Sequence, residues 1–277
     1  MSGMLYLVPT PIGNLGDISQ RARETLEQAD FIAAEDTRVS LKLLNHLGIR
    51  KSLVSYYEHN KAFKGEQIVE RILAGETCAL VSDAGSPAIS DPGEDLVKQC
   101  AAAGIPVCAI PGPCAAITAL SISGQSTGRF CFEGFLSTAK KSRREHLDSL
   151  KQEQRTMIFY EAPHKLVATL EDLAEAFGGD RPISLCRELT KLHEEVVRTT
   201  LAEAVTRYSQ TPPKGEFVLI VAGAPAPQKE AVSEEDAAAR VARLMEEGLS
   251  RKDAVKQAAK ELGLSKNAVY EIALKEP

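Results

Sequence analysis

Between residues 5 and 124 one pattern repeats: a short apolar run, a turn, then a segment with helical apolar spacing. The runs lie at 5–8, 30–38, 52–60, 77–83 and 105–113, and the helical segments at 17–29, 39–48, 66–75, 94–104 and 114–124. Strands separated by helix-length crossovers pair in parallel, because only such a connection returns the chain to the same edge in the same direction. The spacing therefore predicts a largely parallel sheet with helices on its faces, an α/β fold.

Three of these runs end in turn formers: "PTPIGN" (9–14), "SDAGSPAISDPG" (82–93) and "PGPCAA" (111–116). Strand carboxyl ends are where open α/β sheets place ligands. Small or ring-constrained residues there let backbone groups approach a ligand unobstructed. Neither GxGxxG nor GxxxxGK[ST] occurs, which removes the main support for dinucleotide or triphosphate binding. Carbonyls, small residues and one Asp suit a cationic, amphiphilic ligand.

At 277 residues the chain has room for two ordinary domains and an appendage. Its texture changes after residue 128, where aromatic "RFCFEGFLS" precedes a polar, basic stretch at 138–155. Strand runs follow at 155–164, 181–189 and 216–224, with a helix at 165–178. Pro and Ala followed by charge at 223–236 read as a linker. The tail is helical, broken by Gly248 and Gly263, with Ser250 and Ser265 as caps. The expected division is 1–118 and 119–225 as α/β domains, with 226–277 as linker and helix-turn-helix-like appendage. The N-terminal stretch has no basic region, and no apolar run reaches membrane-spanning length, so neither signal peptide nor membrane anchorage is expected. Six cysteines without CxxC or zinc-type spacing point to a reduced, cytoplasmic, metal-free protein.

"LYLVPTPIGNLGDISQRA", "AAEDTR", "LVSDAGSPAISDPG", "IPGPCAAITAL", "FEGFL", "FYEAPHK" and "RELTKLHEE" occur in order. Together they resemble the branch of the tetrapyrrole methylase family that methylates small-subunit ribosomal RNA. The resemblance covers about residues 4 to 223 and resumes at "KNAVYEIAL". It implies two α/β domains with S-adenosyl-L-methionine in the cleft between them. It also implies 2′-O-methylation of a cytidine ribose in the decoding region of 16S rRNA within the small ribosomal subunit, by a homodimer. By motif, Pro11 and Ile12, Asp83, Ala84, Gly85 and Ser86, and Cys114 and Ala115 are the expected donor contacts. Glu161 and Leu189 are expected to close over the adenosine from the second domain. Two other readings stay open: a methylase of a small, tetrapyrrole-like molecule, and an RNA-binding relative without catalysis.

Methyl transfer to a ribose hydroxyl is an in-line displacement that benefits from a group to take the proton. Strand-end candidates are Glu35-Asp36-Thr37-Arg38, Glu58-His59, Glu161 with His164, and Arg187-Glu188 with Lys191. In the last of these, Glu188 is expected to accept the proton while Arg187 or Lys191 holds phosphate or the alkoxide. The alternative is an ion-paired strand end. With a net charge of −5, attraction to RNA must be local, and Lys140, Lys141, Arg143 and Arg144 form the expected basic loop. Phe130, Phe132 and Phe135 read as core, and His193 as a helix-surface or core residue.

Overall fold

The computed structural model describes residues 3–225 and 233–275. The chain forms two compact units, Met1–Ala224 and Pro225–Pro277. In the first, strands β1 (Leu5–Leu7), β2 (Phe31–Ala34), β3 (Ser52–Ser55), β4 (Cys78–Val81) and β5 (Val107–Ala109) form a sheet of order β3-β2-β4-β1-β5. Every pairing is parallel, as the alternation requires.

Strand period places Phe31, Ala33, Cys78 and Leu80 on one face, with Ile68 and Ile72 of α3 (Lys61–Leu73) and Leu96 of α4 (Glu94–Ala102). Ile32, Ala34, Ala79 and Val81 face Ala22 and Leu26 of α1 (Gln20–Gln28) and Leu44 of α2 (Thr37–Leu47). The helix ends follow local chemistry: Ser19 caps α1 by accepting from Ala22 N–H, and Gly48 closes α2 in the left-handed conformation.

The second sheet departs from a purely parallel plan. It comprises β6 (Phe130–Phe135), β7 (Thr156–Glu161), β8 (Pro182–Arg187), β9 (Glu195–Thr200) and β10 (Phe217–Val221), in the order β6-β7-β10-β8-β9. Only β6 and β7 run parallel. One face packs on α6 (Lys140–Ser149), α7 (Leu166–Phe177) and α8 (Leu201–Gln210). The other packs on Ala116, Ala119 and Leu120 of α5 (Ala115–Ser123). The expected cut between residues 118 and 119 therefore falls inside a helix whose buried face belongs to the second sheet. Residues 140–144, expected as a loop, are the first turns of α6.

In the second unit, α9 (Glu234–Glu246), α10 (Arg251–Leu262) and α11 (Lys266–Lys275) share a core of Val241, Leu244, Val255, Ala258 and Val269. Ser250 caps α10, Gly263 ends it in the left-handed region, and Ser265 accepts from Ala268 N–H. Residues 226–232 of the expected linker lie outside the described residues. Among the described residues, no helix is long and apolar enough to cross a membrane.

Candidate active site in the cleft between the sheets

The three turn-rich strand ends bind one another before they can bind anything else. Thr10 and Gly85 exchange two backbone hydrogen bonds (2.9 and 3.0 Å), and Thr10 Oγ1 donates to Ser82 O (3.1 Å). Ser86 Oγ donates to Pro113 O at 3.0 Å. A Cβ on Gly112 would lie 2.9 Å from the Pro9 ring, and one on Gly85, where φ is +83°, would lie 3.3 Å from Ile12. This interlocked floor bounds a cavity of about 500 Å³, within the usual range for small-molecule sites.

The second sheet supplies the opposite wall. Tyr160, Glu161, Cys186 and Leu189 come from the ends of β7 and β8, and Phe217 and Val218 from the start of β10. Because β10 is antiparallel to both neighbours, Phe217 pairs with Glu161 on one side and Arg187 on the other. An amino end of a strand thus reaches the same cleft as two carboxyl ends. All four non-glycine residues with left-handed φ among the described residues lie on two loops at this cleft: Ala88 and Ser90, Glu188 and Thr190. Backbone strain of this kind persists where surroundings over-determine it, commonly at binding sites.

The cavity is acidic on one side. Burial, with the charges of Asp91 and Asp83, pushes the Glu35 carboxyl up to about 6. Burial also raises Asp91 to about 6 and raises Asp83, whose Oδ1 accepts from Asp36 N–H at 3.1 Å. The charged groups acting on Glu35 are carboxylates: Asp91, Asp83 and Asp36. A cationic group entering here would relieve repulsion already present.

Of the expected donor contacts, Ile12, Asp83, Ala84, Gly85, Ser86, Cys114, Ala115, Glu161 and Leu189 line the cavity, and Pro11 does not. Two have less to offer than expected. The N–H and C=O of Gly85 are both spent on Thr10. Glu161 is 4% exposed; its oxygens accept from Ala162 N–H and Thr169 Oγ1, so its carboxylate holds the start of α7.

The expected catalytic trio is placed differently again. Lys191 lines the cavity; Glu188 and Arg187 do not. Glu188 Oε1 accepts from Lys191 Nζ (2.8 Å) and Glu216 N–H (3.0 Å), and the lysine bond holds its carboxyl below the usual range. Arg187 pairs with Glu195 at 3.2 Å. This is the ion-paired strand end, and it leaves Glu188 a weak proton acceptor. Glu58 pairs with Lys61, while His59, His164 and His193 are exposed outside the cavity; His193 lies in a turn, neither on a helix nor in the core.

The basic group also divides. Lys140, Lys141 and Arg144 are exposed, whereas Arg143, with a side chain 15% exposed, binds Asp172 (2.5 Å) and Thr169 (2.8 Å). Phe135, read as core, is 59% exposed and lines the cavity. Ile89, Asp91, Tyr160, Glu216, Phe217 and Val218 were not singled out from the sequence. Asp91 lay within the 82–93 loop, but the rule that favours carboxyl ends passes over the amino end of β10.

The family described as Tetrapyrrole (Corrin/Porphyrin) Methylases matches residues 4–205, and the RsmI C-terminal HTH domain matches residues 231–276. A Synechocystis protein named ribosomal RNA small subunit methyltransferase I is 48% identical over 272 residues, covering 98% of each chain. A Haemophilus influenzae protein of the same name is 46% identical over 277 residues, covering 99% of this chain and 97% of that protein. The fold is similar to a solved structure of uroporphyrin-III C-methyltransferase from Thermus thermophilus complexed with S-adenosylhomocysteine. That match has TM-score 0.57 and 16% identity, covering 79% of this chain and 97% of that one.

Proposed function

The chain belongs to the tetrapyrrole methylase family, and from that premise we propose that it methylates the 2′-oxygen of a cytidine ribose in 16S rRNA of the small ribosomal subunit, with S-adenosylmethionine as donor. The observation that carries this reading is full-length similarity to relatives named ribosomal RNA small subunit methyltransferase I. The cleft is compatible with the donor: an enclosed apolar wall of Ile12, Leu189, Phe217 and Val218 faces the carboxylates of Glu35, Asp83 and Asp91, which suits an adenosine carrying a positive charge. When bound, the donor supplies an electrophilic methyl group, which the ribose oxygen takes in line as the carbon–sulfur bond breaks.

Ile12, Ala84, Ser86, Cys114 and Ala115 would hold the donor from the first lobe, with Leu189 and the 161–163 backbone closing from the second. The interlocked loops fix these surfaces before binding, so alignment is largely prepaid. For the ribose proton, Glu35 is the better base than Glu188. It lines the cavity, its charged neighbours are carboxylates, and burial, with repulsion added to it, makes it more basic than an ordinary Glu while leaving it ionised at neutral pH. Lys191, held by both Glu188 and Glu216, orders the rim of the cavity, with its charge offset by the two carboxylates. Lys140, Lys141 and Arg144 supply further RNA attraction, and a homodimer is part of the same reading.

Tritiated donor with unmodified 30S particles, followed by nucleoside analysis, tests the proposal; labelled 2′-O-methylcytidine is the expected product. Label appearing only in a small tetrapyrrole, or donor binding without transfer, would favour one of the other two readings. Glu35→Gln should cut transfer by roughly 10²–10⁴-fold, whereas Glu188→Gln should act mainly on local stability.

A further inference from the structure

Phe135 stands out from the other aromatic residues. It is 59% exposed and lines the cavity, where Ile89 is 51% exposed. Its direction is built by a bulge: the β6–β7 register runs Phe132↔Ile158, then Gly134↔Phe159 and Phe135↔Tyr160. In a regular strand, residues three apart point to opposite faces. Here Phe132 and Phe135 both meet Tyr160 edge-on, at centroid distances of 5.1 and 5.5 Å. A bulge that turns a side chain toward a site is a recurrent device.

The ring is also held in place. Tyr160 Oη accepts from Ala116 N–H at 3.1 Å, anchoring the aromatic group to the start of α5. At the bulge, Gly134 has φ +63°, and a Cβ there would lie 3.3 Å from Ser90 Oγ. The loop bearing Ile89 therefore abuts the bulge that aims Phe135, and both side chains are exposed on the cavity lining.

We infer that Phe135 and Ile89 form a slot that stacks the target nucleobase of the RNA after it has left its own stack, so that its ribose faces the cavity. The inference rests on the rRNA reading above. Exposure decides between the two bases concerned. Phe217 and Val218, at 2% and 6% exposed, form an enclosed wall suited to a small molecule that can enter completely. A nucleotide still joined to a ribosomal particle reaches only the mouth. Unstacked bases in RNA are commonly received on aromatic faces.

The test measures methyl transfer against the concentration of unmodified 30S particles, with donor affinity measured separately, for wild type, Phe135→Ala, Phe135→Tyr, Phe135→Leu and Ile89→Ala. Phe135→Ala should raise the KM for particles about tenfold, the loss expected of one base–aromatic stack. Donor Kd should stay within about twofold, and Phe135→Tyr should restore the KM. Phe135→Leu keeps the apolar bulk without the flat face, so a raised KM in this variant supports stacking even if the alanine variant folds poorly. Weakened donor binding with an unchanged KM would assign the ring to the donor adenine and overturn the slot. Unchanged KM and Kd in both Phe135→Ala and Phe135→Leu would also overturn it. A wild-type protein that leaves the particles unmethylated would refute the rRNA reading itself, and the slot with it.

Discussion

Replacing Glu35 with Gln should stabilise the fold at neutral pH while disabling transfer. The carboxyl rises from an ordinary 4.5 to about 6, first through burial and then through Asp91 and Asp83. Well below pH 4.5 the group is protonated in folded and unfolded chains alike and costs nothing. As pH climbs toward 6 the unfolded chain ionises first, and the folded state loses stability; above 6 the loss is constant. Fully transmitted, this rise corresponds to about 2 kcal/mol. Glu35 is only partly buried, so solvent screening reduces the expected gain to about 1 kcal/mol. Urea unfolding without donor, at pH 4.5 and pH 8, measures it: Glu35→Gln should gain at pH 8 and lose most of that gain at pH 4.5. Asp91→Asn should behave alike. The double variant should gain less than the two singles together, because each substitution removes the charge that the other residue opposed. A Glu35→Gln protein no more stable than wild type at pH 8, or equally stabilised at both pH values, would refute the argument.

Two further outcomes follow from the basic segment of α6. Substituting Lys140, Lys141 and Arg144 together by Ala should reduce the slope of log RNA affinity against log salt by about 2, near 0.7 for each phosphate contact to single-stranded RNA. Donor affinity should not change. Arg143→Ala should leave that slope unchanged and cost about 1 kcal/mol in urea unfolding, because it removes the hydrogen bonds that Asp172 and Thr169 receive at the α6–α7 contact, while Asp172 stays open to water and Thr169 keeps Glu161.

Legibility varied with how local the cause was. The parallel sheet could be read because each of its strands is short, apolar and followed by a helix that caps and terminates through its own residues, as Ser19 and Gly48 do. The tail was legible for the same reason, through Ser250 and Gly263. In the second sheet, β9 is a half-exposed edge strand and α8 begins at the capping box of Thr200 and Glu203. That box was a readable signal, but without a buried apolar run the strand before it did not stand out.

The site divides along the same line. The loops at 9–14, 82–93 and 111–116 declared themselves, because Gly and Pro shape the backbone wherever they occur. What the charged and aromatic residues do depended on partners distant in sequence. Arg143 is held by Asp172, and Glu188 by Lys191 and Glu216 N–H. Glu35 is more basic than usual because folding buries it and sets Asp91 and Asp83 of the 82–93 loop near it. Phe135 faces the cavity because one register shift against β7 turns it there. Composition and local spacing determined which surfaces form a crevice. Which side chains in it remain available to act was decided by tertiary structure, since a charge or a ring is free or spent only in relation to the neighbours that folding brings to it.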